Sequence, residues 1–262
     1  MLQIDHFTYG WTTPLPAYLM SVLGSMLALR FMVRSRAAQG HGGWLTAAAV
    51  ALGGTGIWVM HFIAMLGFSI HGSTIRYNIP ITLCSAAIAI AVVWLGLSIV
   101  VKRDHDTAAL PVGGAITGLG VAGMHYAGMY AMKTDVAVTY DPLLVALSLL
   151  IAVVAATAAL WFALHIHGLL ATIGAALIMG VAVTGMHYTA MFAMAAHPDS
   201  AAHAAGASAG QLLTPLIIGI SMVTLILLMQ VGITEAEDPS LARPVTGQRA
   251  SRYWHSTRNA AR

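Results

Sequence analysis

Long apolar segments alternate with short polar or glycine-rich connections along almost the whole chain. A helix that crosses a bilayer needs about 20 mainly apolar residues. Seven segments have that length, namely residues 14–33, 44–66, 79–101, 110–132, 142–166, 170–194 and 212–233. The pattern predicts an all-α integral membrane domain over residues 1–233, a bundle of seven transmembrane helices. We expect the short arginine-rich tail over residues 234–262 to be disordered.

Composition points to a lipid environment rather than an aqueous one. Of the 262 residues, 58% are hydrophobic and only 8% are charged, whereas a soluble domain carries about 25% charged residues. A chain of this composition cannot cover itself with polar surface, so lipid must solvate much of it. The one cysteine, Cys84, lies within an apolar segment and cannot form an intrachain disulfide.

The positively charged residues indicate the orientation of the bundle. Cytoplasmic loops carry an excess of lysine and arginine, and an outer N-terminus gives ten such residues on the cytoplasmic side and two outside. The cytoplasmic residues are Arg30, Arg34, Arg36, Lys102, Arg103, Arg243, Arg249, Arg252, Arg258 and Arg262, and the outer residues are Arg76 and Lys133. We therefore expect the N-terminus outside and the C-terminus in the cytoplasm.

A sequence motif occurs three times, in residues 54–65, 118–129 and 180–191. Its histidines, His61, His125 and His187, are spaced by 64 and 62 residues. Self-similarity at a nearly fixed period indicates a repeated structural unit. Here the unit is a pair of helices with the motif on the second, fourth and sixth helix. The bundle is thus predicted to consist of three repeated helix pairs plus a seventh helix.

The three histidines are predicted to share one depth and one side of the bundle. In the expected topology the second, fourth and sixth helices all end at the outer surface, so the histidines belong to the outer third of the membrane. A methionine follows each histidine by four residues, on the same helix face; these are Met65, Met129 and Met191. Glycine and alanine beside the histidines allow close helix packing. We expect the histidine faces to meet inside the bundle.

Ionisable side chains at this depth are costly, and they point to a functional site. Imidazole and thioether ligands suit copper, whereas calcium and magnesium need oxygen ligands, and no Asp or Glu lies in the seven predicted segments. The candidate ligands are His61, His125, His187, Met65, Met129 and Met191. Haem is an open alternative, because histidine and methionine also serve as its axial ligands.

Other classes of function find no support in the sequence. There is no nucleophile–base pair, acidic dyad or phosphate-binding loop, so we do not expect an enzyme. Nothing indicates nucleic-acid binding. Membrane lipid is the one partner that composition alone implies.

The motif residues resemble those of the MHYT-domain family of bacterial integral membrane sensor proteins. Met186-His187-Tyr188-Thr189 matches the family name, and Met124-His125-Tyr126-Ala127 and Met60-His61-Phe62-Ile63 are looser forms. The resemblance covers about residues 9–204. It implies copper near the outer face, a diatomic gas (oxygen, carbon monoxide or nitric oxide) as the sensed ligand, and a location in the bacterial cytoplasmic membrane. The supporting motif residues it implies are Met60, Met124, Met186, Tyr126 and Tyr188.

Many members of that family continue into a cytoplasmic output domain, and residues 234–262 are too few for one. The resemblance therefore implies signalling through a separate cytoplasmic partner. Two further hypotheses stay open: a copper transport or delivery protein, and a haem-binding membrane protein.

Overall fold

The computed structural model describes residues 2–37, 41–103, 107–198 and 204–237. In this part of the chain seven long helices follow one another: α1 Pro14–Ala37, α2 (the consecutive segments His41–Ala49, Val50–Val59 and Met60–Met65), α3 Ile79–Lys102, α4 Ala109–Ala131, α5 Pro142–His165, α6 Leu169–Phe192 and α7 Ala209–Glu237. Each coincides with one predicted segment. The last helix continues past the expected boundary at residue 233, and the arginines of the tail lie outside the described residues.

Two of the helix boundaries have a clear local cause. The Asn78 side chain accepts a hydrogen bond from the Ile81 amide at the start of α3. The Asp141 carboxylate accepts hydrogen bonds from the Leu143 and Leu144 amides at the start of α5. A proline occupies the first turn of both helices. An Asn or Asp cap followed by proline satisfies free amides and fixes the backbone angle, so it starts a helix at a defined residue.

Six of the helices in the described residues are long and apolar enough to cross a membrane. The remaining one, α4, has 23 residues, six of which are glycines. Glycine contributes little hydrophobicity, so α4 has the length of a membrane span without its usual composition. The structure therefore confirms an all-α fold class with several candidate membrane spans.

Helices α1 to α6 contact one another in chain order, and α6 returns to contact α1. The seventh helix packs against α1 and α2. The middle segment of α2, Val50–Val59, has π-helical hydrogen bonding, and the residues Ala51 to Val59 are all buried. A Cβ atom on Gly53 would lie 2.7 Å from the Ala89 carbonyl oxygen of α3. Glycine thus lets α2 pack directly on the backbone of its neighbour.

Within the described ranges, seven short strands cover the end of the bundle where α2, α4 and α6 terminate. They are β1 Ile4–Asp5, β2 Ser69–Ile70, β3 Ile75–Tyr77, β4 Met132–Thr134, β5 Val136–Tyr140, β6 Met194–Pro198 and β7 Ala207–Ser208. They form three antiparallel sheets, β1–β2, β4–β3–β7 and β5–β6. The sequence predicts only loops at this end, so the strands are an addition to the expected fold. They tie the N-terminal segment and the three loops that follow the motif helices into one layer.

Candidate metal centre

The three motif histidines meet inside the bundle, although each comes from a different helix. The Nδ1 atom of His61 lies 3.0 Å from the Nδ1 atom of His187 and 3.1 Å from that of His125. Each side chain is only 1% exposed. The ring planes cross at 80° to 83°. We call these residues the histidine triad; the structure brings them together as the repeat predicts.

Close packing of α4 against α2 supports one side of the triad. A Cβ atom on Gly128 would lie 2.5 Å from the Nε2 atom of His61. The backbone of α4 therefore lies directly against the edge of this imidazole that faces away from the triad. The equivalent positions of the other two repeats hold Ala64 and Ala190, so the repeats are alike in sequence without being identical in packing.

The residue after each histidine places an aromatic ring edge-on to the imidazole. Centroid distances are 4.7 Å for Phe62, 5.1 Å for Tyr126 and 5.0 Å for Tyr188. The hydroxyl groups differ, however. The Tyr126 hydroxyl is hydrogen-bonded to Ser148 Oγ at 2.8 Å, whereas the Tyr188 hydroxyl is buried without a hydrogen-bond partner among the described residues.

Replacing Tyr126 with phenylalanine is therefore expected to destabilise the protein, by about 0.5–1.5 kcal/mol for one lost hydrogen bond. Tyr188→Phe is the matched control. It should leave stability unchanged or raise it slightly, because the Tyr188 hydroxyl makes no hydrogen bond to the described residues that the substitution could remove. Thermal unfolding of both purified variants in the same detergent measures the difference. Equal unfolding temperatures for the two variants would contradict the assignment of the hydrogen bond.

The predicted methionine ligands are all interior. Met65, Met129 and Met191 are 2% exposed, and the motif residues Met60, Met124 and Met186 are equally buried. Met60 packs in a small separate cluster with Ala17 and Ala64. Burial places the thioethers inside the protein near the ends of the motif helices. Their role as metal ligands stays a prediction.

The N-terminal segment, residues 2–12, covers the ends of the motif helices on the side of the strand layer. The His6 ring lies 4.7 Å from that of Phe192 and 5.6 Å from that of Phe68, and the Phe7 ring lies 5.2 Å from that of Tyr188. Burial lowers the pKa of His6, and the nearby Asp5 carboxylate partly offsets this effect. His6 is not among the candidate residues of the sequence analysis; the aromatic Phe7 next to it was the available sign of a packed segment.

The donor set of the triad fits a metal ion. The His61 Nδ1 atom is within hydrogen-bonding distance of two other Nδ1 atoms, but one N–H on a neutral imidazole can be donated along only one direction. A cation at the centre can accept all three lone pairs. Metal–imidazole bonds of about 2.0–2.1 Å would separate the nitrogens by roughly 3.3–3.6 Å. The observed separations are only a few tenths of an ångström shorter.

Comparison with known proteins agrees with this motif. The MHYT family model, described as a bacterial signalling protein N-terminal repeat, matches residues 54–113 and 118–176. The two matches contain His61 and His125, and the third motif lies beyond them. No solved structure matches the chain with significance.

Three curated relatives are bacterial signalling proteins. The bifunctional diguanylate cyclase/cyclic di-GMP phosphodiesterase MucR of Pseudomonas aeruginosa is 40% identical over 182 residues, 67% of this chain and 26% of the relative. The cyclic di-GMP phosphodiesterase NbdA of the same organism is 33% identical over 199 residues, 73% of this chain and 25% of the relative. Signaling protein YkoW of Bacillus subtilis is 28% identical over 205 residues, 75% of this chain and 25% of the relative.

The chain thus spans about a quarter of the length of these relatives. The alignments cover most of the helical bundle, and the family model covers two of the three histidine motifs. The protein belongs to the MHYT family of bacterial membrane signalling proteins.

Proposed function

We propose that this protein is a sensor module of the bacterial inner membrane that holds copper at the histidine triad and responds to a diatomic gas. The observation that carries the proposal is the convergence of three buried Nδ1 atoms within 3.0–3.1 Å along two of their pairs. Burying three imidazoles side by side is costly in an apolar interior. A bound cation offsets that cost, because each imidazole then supplies a ligand atom.

The proposal includes seven membrane spans with the N-terminus outside. Helix α4 contacts α3 and α5 along the bundle, and its 23 residues extend about 35 Å at 1.5 Å per residue. It is therefore long enough to cross the same thickness as its neighbours. The excess of ten over two positive residues supports this orientation, which places the triad and the strand layer toward the outer surface.

Among metal cofactors, the geometry favours a single ion over haem. The ring centroids of the triad are 4.8 to 5.1 Å apart, so the imidazoles fill the space that a porphyrin between them would need. The buried methionines Met65, Met129 and Met191 each follow a triad histidine by four residues. As thioether ligands they would favour copper, because zinc is bound by Cys, His, Asp and Glu. When bound, copper would supply an open coordination position for a gas ligand.

The protein's own part in the response is to transmit a change at the triad along α2, α4 and α6. Each of these helices carries one histidine of the triad and extends from the outer end of the bundle to its cytoplasmic end. Relatives named as cyclic di-GMP enzymes support a cytoplasmic partner of that class.

A transporter would need a series of ion sites along the bundle. Within residues 2–37, 41–103, 107–198 and 204–237, the triad is the one group of three His, Cys, Asp or Glu side chains whose ligand atoms are close enough to hold a metal ion, all within 4.8 Å of one another.

Metal analysis of the full chain tests the proposal. The purified protein is compared by mass spectrometry with a variant in which the triad, His61, His125 and His187, is changed to alanine. A matched control changes three histidines away from the triad, His71, His165 and His197. We expect stoichiometric copper in the wild type and in the control, and loss of copper from the triad variant.

Equal copper in all three proteins, or none in any, would overturn the copper site. Iron with a Soret band in the wild type would replace copper with haem. Addition of carbon monoxide to the reduced protein then tests gas binding, because a carbonyl bound to copper has its own infrared stretching band.

A further inference from the structure

An apolar cavity of about 40 Å³ lies inside the bundle, on the side of the triad that faces away from the strand layer. Three of its lining residues are Ile57, Val121 and Val183, and each precedes a triad histidine by four residues. Four residues in a helix extend about 6 Å. One residue from each repeat thus separates the cavity from the imidazole layer. The wall also includes Met186, the residue directly before His187.

The chemistry of the wall excludes water as a stable occupant. Thr117 is the one polar residue that lines the cavity, and its hydroxyl is within hydrogen-bonding distance of the Val92 carbonyl oxygen. A buried water needs two to four polar partners, whereas an apolar cavity stays dry and takes up xenon or small apolar molecules. An engineered apolar cavity of about 150 Å³ takes up benzene, so a cavity of about 40 Å³ suits a smaller molecule of only a few atoms.

One side of the cavity comes close to the surface of the bundle. On this side the cavity is lined by alanines, namely Ala155 and Ala159 on α5 and Ala182 on α6. All three are only partly buried, and their side chains are too small to close the gap between the helices. On a membrane helix this surface faces acyl chains. Small apolar molecules partition into such surroundings, so the cavity can fill from the lipid.

We propose that this cavity, which we name the alanine-walled cavity, is a binding site for a small apolar molecule of the size of dioxygen. The molecule enters between α5 and α6 and reaches the triad through the layer formed by Ile57, Val121 and Val183. Delivery to a metal rests on the proposed function above. Occupancy of the cavity does not depend on a metal, because the lining consists of protein side chains alone.

Hyperpolarised-xenon NMR of the metal-free full chain in lipid nanodiscs tests occupancy. Ala156→Leu places a larger side chain in the wall. Ala158→Leu is the matched control, because it is the same change on the same helix at a position outside this cavity. We expect a bound-xenon resonance in the wild type and the control, and its loss in Ala156→Leu. Absence of the resonance from the wild type, or equal intensity in all three proteins, would overturn the proposal.

A second variant keeps the test decisive if Ala156→Leu does not fold. Val183→Ala enlarges the cavity next to the triad, and the bound resonance should strengthen; a resonance unchanged from the wild type would contradict the site. Copper content is measured on the same proteins as purified, before the metal is removed for the xenon experiment. Xenon binding without copper would defeat the proposed function and leave the cavity standing, whereas copper without xenon binding would do the reverse.

Discussion

Replacing Gly118 with alanine is expected to destabilise the protein strongly, whereas replacing Gly123 in the same helix should not. A Cβ atom on Gly118 would lie 2.5 Å from the Val153 Cα atom and 2.7 Å from the Ala152 carbonyl oxygen. Both are backbone atoms of α5, which cannot rotate away. Overpacking of an interior costs about 1–3 kcal/mol, and a clash with backbone belongs at or above the upper end of that range.

Gly123 provides the matched control for this prediction. It has no neighbouring atom within 4 Å of an added Cβ, so alanine there meets open space. Alanine in place of a mid-helix glycine is favourable by roughly 0.5–1 kcal/mol, because the unfolded chain loses less backbone freedom. The two substitutions, five residues apart, should shift the thermal unfolding temperature in opposite directions. A Gly118→Ala variant as stable as the wild type would refute the close approach of α4 and α5.

The equivalent glycines of the other repeats should tolerate alanine better. A Cβ atom on Gly180 would meet the side chains of Val22 and Tyr18, and one on Gly54 would be in ordinary contact with Ile90 at 3.8 Å. Side chains can adjust where backbone cannot. Identical positions in the repeat therefore have different packing, because the three helix pairs have different neighbours.

The sequence predicts the helices and the triad because both depend on local patterns. Apolar length fixes the spans, and Asn78 and Asp141 with their prolines fix two boundaries. The fixed position of His61, His125 and His187 on equivalent helices makes their convergence a consequence of the repeat. Any closed bundle of three such pairs brings the same faces together.

The strand layer has no comparable local signal. Its strands have two to five residues, too few for a pattern of alternation to be recognised. Their pairing is between distant parts of the chain, as with Ile75 opposite Thr134. The π-helical segment of α2 also lacks a local sequence signal, because its backbone conformation depends on the helices that pack around Gly53 and Gly56. Tertiary contacts, rather than propensity, determine both features.

Replacing Gly128 with alanine is expected to weaken the copper binding proposed for the triad while leaving the fold largely intact. The added Cβ would lie 2.5 Å from His61 Nε2 and 3.1 Å from its Cδ2 atom. The ring cannot retreat freely, since His125, His187 and Phe62 rings surround it at 4.7 to 4.9 Å. The imidazole must therefore tilt, and its Nδ1 atom moves relative to the other two.

The expected loss of copper affinity is about 10–100-fold, the usual cost of disturbing a residue that supports a ligand. Competition with a chelator of known copper affinity measures it, and Gly123→Ala, the same change on the same helix, should retain wild-type affinity. An unchanged affinity in Gly128→Ala would show that His61 is not a ligand or that α4 is further away. The repeat makes the change look conservative, because Ala64 and Ala190 hold this position elsewhere. The structure predicts the opposite, since here the glycine lies directly against a triad imidazole.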